Sequence, residues 1–582
     1  MKAKTIFILA VLAAALLSLA SCSTSPMNHK PYVPTGPYHH SIEGPYFYWD
    51  TTELIMQLNV TADPNAPSSL ARRAMAGESD GSASELDDVV IARNADVASN
   101  AKTTVRYDYV DDPTLYGWGN NISRIFAEVN SGVSDKPDMY YNFVYDLCCL
   151  SLKNSLADLY SEAYGRGMNF LRFEHEYESL GNSYISETLD CYANSFEYMK
   201  SLALSDDKLY CYASSYTLDM LRSIFVIPVN IAMVNEIPLA DSTGDRGVMD
   251  GEYDMYDLYN LVWDGDFTYE SIVTLSEAVY SVESDYNVGA DLGDVLGFAV
   301  SADSDLTAQA LIYSSNLGII DRNIYDDGDY YGYTFYYNEN SDKLCTFVDS
   351  LRELFSERGV IAVTDEEANA ALGSTGRTAI ECIRDCFAGN KLLFGGIVQI
   401  GELEREEYQQ MREGEGLGFV PVPSYCDYDY YNDVGRYYPM NSVISNRARV
   451  IGVSRVTDKF EQCTAFLQYQ AARSIEIPRI YVDEYLNATL EGESIADNES
   501  MFQFITETLA DVSKFKHGTF CEDMVEMYLR DRDTQSASKR LDSLLTDYNY
   551  QITSVKGYYD ALLSEKIEAL EAIKKHWYYH ND

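Results

Sequence analysis

KLLFGGIVQIGELEREEYQQMREGEGLGFVPVPSY, residues 391–425, holds two strand signals, a helix signal and a stop. Leu392, Leu393 and Phe394 form a short apolar run that Gly395 and Gly396 interrupt. Ile397, Val398, Gln399 and Ile400 resume it, as a buried strand ending at a loop would. Glu402 to Arg412 is rich in Glu, Gln and Arg and has no β-branched residue, which predicts a helix broken by Gly414, Gly416 and Gly418. Phe419 and Val420 begin a second strand that Pro421 and Pro423 must end, because proline has no N–H to give to a ladder. A strand ending at two prolines is a natural place for a chain to pass from one folded body to another.

Working outward, the pattern is one of strands alternating with helices. Asp87 to Asp108 reads as a helix followed by a strand over Thr103 to Tyr109, and Ile122 to Val129 has helical spacing before the turn at Pro137-Asp138. Met139 to Leu147 reads as an apolar strand and Ser151 to Tyr160 as the helix after it. Ile224 to Val234 is strongly apolar. Gly265, Phe267 and Thr268 offer a turn, a buried anchor and an N-cap for a helix through Ser271 to Tyr280. Thr378 to Phe387 is an amphipathic helix candidate, Val450 to Ser454 a strand and Lys459 to Ala472 a helix. Nearer the N-terminus, Asp50, Thr51 and Thr52 are suited to cap a helix through Leu54 and Met56, and Ala62 to Leu86 reads as a loop with a short helix. Tyr437 to Ile444 reads as a further strand, and the last 80 or so residues as helices at Met501–Leu509, Cys521–Arg530, Ser538–Leu545 and Tyr558–Lys575. This rhythm is that of an α/β fold.

Several of these residues resemble motifs of the carbohydrate-type extracellular solute-binding proteins of ABC importers. Phe387, Gly389, Lys391 and Phe394 are similar to an F-x-x-G-K-x-x-F segment, with Asn390 inserted, and Gly418, Pro421 and Pro423 to a G-x-x-P-x-P crossing. Val229, Asn230 and Ile231 stand where the family has an F-N-K step, without its lysine. Gly265, Phe267 and Thr268 resemble its G-x-W-T element, with Phe267 in place of tryptophan, and Ala465, Phe466 and Leu467 its A-x-x-F-L ending. The resemblance covers about Asp87 to the end, with gaps. It implies a two-lobed, type II periplasmic-binding-protein-like clamshell with an interlobe hinge and extra C-terminal helices. The implied layout is a first lobe over 46–210, a second over 211–420, a return segment over 421–472 and helices over 473–582 packing mainly on the second lobe, with hinges near Asp207 to Pro228 and Val420 to Tyr425.

The address is read at the start of the chain. Lys2 and Lys4 precede an apolar run from Ile6 to Leu17, and Leu19, Ala20, Ser21 and Cys22 resemble a bacterial lipobox. A signal over 1–22, lipidation at Cys22 and a Pro, Ser, Gly and Thr-rich tether over 23–45 are expected, placing the chain on the extracytoplasmic face of a membrane. With 582 residues, 46% of them hydrophobic, two or three packed units are expected. The 91 acidic against 43 basic residues leave a net charge of −48, which repels phosphate backbones and argues against nucleic acid as a partner. Setting Cys22 aside, the other cysteines include no CxxC; Cys382 and Cys386 lie about one helical turn apart without a second pair, so no zinc site is expected.

Catalytic patterns are scarce. No nucleophile elbow or Walker loop is present, and the three glycines at 414, 416 and 418 lack dinucleotide spacing. His576 and His580 are one turn apart, but Trp577 stands where a zinc protease would have its glutamate. The acidic turn at Asp326 to Asp329 lacks EF-hand spacing. What remains is aromatic abundance, 49 Tyr, 22 Phe and 4 Trp, together with amides and carboxylates, which suits stacking on sugar faces and bonding to hydroxyls. Trp118, Gln399, Tyr425 and Asn441 are the candidate ligand contacts. The expected role is a non-enzymatic, monomeric receptor that needs no cofactor, closes on a sugar or oligosaccharide and presents it to permease subunits. A helical-repeat glycan-capture lipoprotein and a lipoprotein glycoside hydrolase are the alternatives.

Overall fold

A computed structural model describes residues 51–60, 69–77, 84–100, 102–110, 112–115, 119–132, 134–159, 209–237, 253–263, 267–281, 290–314, 320–323, 332–335, 347, 349–414, 416–423, 448–474 and 477–486. The expected signal, tether, Cys22, the Tyr437 strand and the helices after Met501 lie outside them. The first elements are β1 (Thr52–Leu58), α1 (Ser69–Ala76), α2 (Glu85–Asn100), β2 (Thr103–Tyr109), α3 (Ile122–Asn130), β3 (Met139–Phe143) and α4 (Val144–Leu152). Next come α5 (Asp219–Arg222), β4 (Phe225–Asn230), α6 (Ile231–Val234), α7 (Met255–Trp263), α8 (Tyr269–Val279), β5 (Leu296–Ser301), α9 (Asp305–Ser314) and the hairpin of β6 (Ile320–Asn323) and β7 (Gly332–Phe335). The remainder are β8 (Val360–Val363), α10 (Asp365–Leu372), α11 (Ala379–Ala388), β9 (Leu392–Phe394), β10 (Val398–Gln399), α12 (Glu406–Glu413), β11 (Leu417–Pro421), β12 (Arg449–Val453), α13 (Phe460–Ala472) and α14 (Ile477–Tyr485).

The fold is α/β, with two main sheets. In the first, β1 is central and parallel to both β2, from Thr52 opposite Thr103 to Leu58 opposite Tyr109, and β3, with Met56 opposite Met139. β12 returns from far along the chain to run antiparallel beside β3, with Arg449 opposite Phe143. In the second, β5 is central and parallel to β8 and β9. β4 runs antiparallel beside β9, and beyond it β11 pairs from Leu417 opposite Asn230 to Pro421 opposite Val226. Each sheet thus places its second, first and third parallel strands in that order and sets an antiparallel strand beside the third.

Three expectations are corrected. The segment read as a capped helix through Leu54 and Met56 is β1, whose Leu54, Met56 and Leu58 are fully buried. A central parallel strand is covered on both faces, so its apolar run carries no alternation to tell it from a buried helix. The strand read over Met139 to Leu147 stops at Phe143, and α4 begins at once and ends at Leu152, two residues into the helix expected over Ser151 to Tyr160, of which 153–159 are not helical. Here one apolar run spans a buried strand and a buried helix, and composition does not mark the join. The helix expected over Glu402 to Arg412 is split into a 3-10 turn, Ile400–Glu404, and α12, with Arg405 extended between them.

Other readings hold. Phe267 is buried, and Thr268 N–H donates to Ser271 Oγ (3.4 Å) at the start of α8. Thr378 and Glu381 cap α11 reciprocally, an arrangement that contributes about 1 kcal/mol. The interruption at Gly395-Gly396 is conformational, since Gly396 sits at φ 81°, where a side chain would be strained. Gly297 has another reason: a Cβ there would lie 2.1 Å from Ser276 Cα, so its absence lets β5 press onto α8. Buried side chains of both sheets form one continuous core, with Phe298 edge-on to Phe394 and Tyr216 edge-on to Phe466. Cys211, Cys382, Cys386 and Cys463 are buried in it as small hydrophobes.

Candidate functional site: the edges where the sheets meet

The strand directions fix where the two sheets face each other. The segment around Tyr212 pairs antiparallel with Ile451 of β12, so it runs with β3 toward the carboxyl edge of the first sheet. From there the chain turns through α5 and enters β4, whose first residue lies beyond the carboxyl end of β9. It leaves the second sheet by β11, which ends at the same edge, and re-enters the first at Arg449, opposite the last residue of β3. Both crossings therefore join carboxyl edge to carboxyl edge. In open α/β sheets that edge, where the strand order reverses, is where ligands are received.

The first sheet brings a polar group to this edge. Asn59 follows β1, Asn142 is the next-to-last residue of β3, and Asp146 lies one turn into α4; all are buried. Asn59 Nδ2 donates to Asn142 Oδ1, which also accepts from Phe143 N–H (2.8 Å). Gly119 N–H donates to Asp146 Oδ1 (2.7 Å), and Arg124 Nε to Asn121 Oδ1 (2.6 Å). These bonds engage one side of each group; Asn59 Oδ1, Asn121 Nδ2, Asn142 Nδ2 and Asp146 Oδ2 make no well-formed hydrogen bond, although the Asn142 amide lies near enough to Asp146 to favour its charged form. Burial pushes the Asp146 carboxyl up to about 7, against the opposing pull of the Gly119 N–H, the Asn142 amide and the Arg449 guanidinium.

A line of charges continues across the crossing. Arg222 of α5 donates to both oxygens of Glu404, Nε to Oε1 at 2.7 Å and Nη2 to Oε2 at 2.8 Å, and to Asp219 Oδ1 at 3.3 Å. Tyr481 of α14 donates to Glu404 Oε1 at 2.6 Å. Arg449 lies with its guanidinium 4.3 Å from the centre of the Phe143 ring, and burial holds its pKa below the usual arginine value. Its Nε has no hydrogen-bond partner, nor has Asp219 Oδ2, whose carboxyl burial also raises. Leaving a buried polar atom unpaired costs on the order of 1–3 kcal/mol, and six such atoms fall along this crossing. Three of them are donors and three acceptors, a set that a ligand bearing both can satisfy. Among the described residues no three His, Cys, Asp or Glu gather as metal ligands.

Of the sequence-predicted contacts, Gln399 ends β10 opposite Phe225, half-buried at the edge where the first crossing arrives. Trp118, Tyr425 and Asn441 lie outside the described residues, so the structure does not bring the four together. Asn59, Asn121, Asn142, Asp146 and Arg449 were not singled out in the sequence. A signal existed for two of them: in MYYNFVYDL, residues 139–147, Asn142 and Asp146 are the only amide and acid within an apolar run, four residues apart.

No family model matches the chain, and no curated protein matches it. Solved structures do. The galacto-N-biose/lacto-N-biose I-binding protein of an ABC transporter from Bifidobacterium longum is 10% identical with a TM-score of 0.42, over 90% of this chain and 98% of that one. The maltose/maltodextrin-binding domain from Bdellovibrio bacteriovorus, bound to maltotriose, is 10% identical with a TM-score of 0.42, over 90% and 99%. A family 1 extracellular solute-binding protein from Bifidobacterium longum subsp. infantis is 12% identical with a TM-score of 0.40, over 86% and 100%.

Proposed function

We propose that the chain is an extracytoplasmic solute-binding receptor that captures a sugar or oligosaccharide between two lobes and delivers it to an ABC permease. The observation that carries this is the pair of crossings that join carboxyl edge to carboxyl edge, with six unpaired buried polar atoms gathered where they meet. A ring of hydroxyls both donates and accepts, so it can satisfy amides, a carboxyl and a guanidinium together. In this reading the lobes run over 46–210 with 421–472 and over 211–420. Trp118, Gln399, Tyr425 and Asn441 are proposed as further ligand contacts. Capture is by closure about the two crossings, and the role is binding without turnover. Lipid at Cys22 holds the receptor to the membrane beside its permease, and it acts as a monomer. The two sheets leave no place over these residues for a regular array of helix pairs, so the helical-repeat alternative is set aside.

The test is a heat-stability and tryptophan-fluorescence screen against neutral and acidic oligosaccharides and oligopeptides. A sugar at 100 times its Kd should raise stability by about 2.7 kcal/mol. A flat response to every sugar, with or without a response to peptides, defeats the proposal.

A further inference from the structure

Arg449 stands apart from the other cations of the crossing. Arg222 is taken up by Glu404 and Asp219. Arg449 forms no ion pair and no hydrogen bond among the described residues; its guanidinium stacks on the Phe143 ring, and Asp219 and Asp146 act on it only from beyond ion-pair distance. That isolation is unexpected by composition, because acids outnumber bases by 91 to 43 and an arginine readily finds a carboxylate in such a chain. The nearby acids are each held by another group, Asp219 Oδ1 and both Glu404 oxygens by Arg222 and Asp146 Oδ1 by Gly119 N–H, while the second oxygens of Asp219 and Asp146 make no hydrogen bond to Arg449. Stacking on Phe143 fixes the plane of the guanidinium, whose fork matches the two oxygens of a carboxylate.

Resting on the receptor reading above, we infer that the solute carries a carboxylate, as an acidic oligosaccharide does, and that Arg449 is the residue that takes it. The unpaired Asn142 and Asn121 amide donors lie in the same polar group and suit further acceptor oxygens of such a ligand. Burial also favours the neutral form of Asp146, which lessens the repulsion an entering anion would meet. In a protein of net charge −48, a guanidinium that forms no ion pair, beside the paired Arg222, is a local feature able to draw an anion in.

Calorimetry on the full chain decides the matter with tri-galacturonate, sialyllactose and a chondroitin disaccharide, each beside its neutral methyl ester. The expected result is that at least one acid binds about tenfold or more tighter than its ester. Arg449→Gln should abolish that preference, weakening the acid by about 30-fold, while Arg449→Lys keeps part of it. If the esters bind as well as the acids, or only neutral sugars bind, the inference falls and the receptor reading stands. If nothing in either arm binds, both fall. Should Arg449→Gln fail to fold, the ratio of acid to ester in the unaltered protein decides alone.

Discussion

The two sheets share a strand order and differ at the edges where they meet. At the first edge the strands end among Asn59, Asn142, Asp146 and Arg449, groups that amides and charges leave half satisfied. At the second edge β5 ends at Ser301 and β9 at Phe394, followed by Gly395 and Gly396; Asp303 just past β5 accepts from Asp365 N–H, and Glu404 at the crossing is bound to Arg222 on both oxygens. One edge keeps its hydrogen-bonding capacity open and the other has closed its own. A shared scaffold therefore sets where chemistry can occur, and the few residues just beyond each strand decide which chemistry it is.

The sharpest way to break this comparison is to open the closed edge. Glu404→Ala leaves Arg222 buried without its main partner, and a loss of about 4 kcal/mol in urea unfolding is expected. Replacing Arg222 and Glu404 by methionine together with Asp219 by leucine should recover most of it, because the penalty arises from stranded charge and Asp219 would otherwise lose its paired cation. A loss below about 1 kcal/mol for Glu404→Ala would place the pair among weak surface bridges and remove the contrast between the edges.

The open edge makes the opposite prediction, that changing it stabilises. Burial pushes the Asp146 carboxyl up to about 7, so the folded state holds its proton where the unfolded state has released it. Stability from this group is therefore intact below about pH 4, falls as pH rises toward 7 and levels off above it. Facing it are the Gly119 N–H, Asn121, Asn142 and Arg449. Asp146→Asn keeps an oxygen for Gly119 and cannot ionise. It should match the parent near pH 4 and exceed it by about 3 kcal/mol at pH 8. Equal stability at both pH values would show that the carboxyl is not desolvated as the packing implies.

How much of this was legible in the sequence follows from the same contrast. The second sheet was read only where punctuation marks it, and its central strand β5 and neighbour β8 were missed. Leu392 to Phe394, the stop at Gly395-Gly396, the strand ending at Pro421 and the Asn230 step into α6 all carry local punctuation by glycine, proline or a capping amide. The first sheet was read poorly where it matters. β1 and the β3–α4 join are apolar throughout, so neither period nor composition separates strand from helix. The polar edge was hidden for another reason. Asn59, Asn142 and Arg449 are 83 or more residues apart along the chain, and only the sheet register sets Arg449 opposite Phe143 and lets Asn59 reach Asn142. No spacing rule reaches over such distances.

The smallest effect concerns α14, which ties the two edges from outside the sheets. Its Tyr485 hydroxyl accepts from Arg73 (3.0 Å) and its Glu484 carboxylate from Leu86 N–H (3.2 Å), both on the first sheet's helices. On the other side Gln409 donates to Tyr485 O (3.2 Å), Arg412 to Glu484 O (2.7 Å), and Tyr481 itself donates to Glu404. Tyr481→Phe deletes one hydroxyl and leaves the ring stacked on Tyr485, so a loss of about 1–2 kcal/mol is expected, well short of Glu404→Ala. The two changes share one carboxylate and should not add: in Glu404→Ala the hydroxyl has already lost its acceptor. A double mutant whose loss equals the sum of the two single losses would mean that Tyr481 acts through some other contact and that α14 is not coupled to the crossing through Glu404.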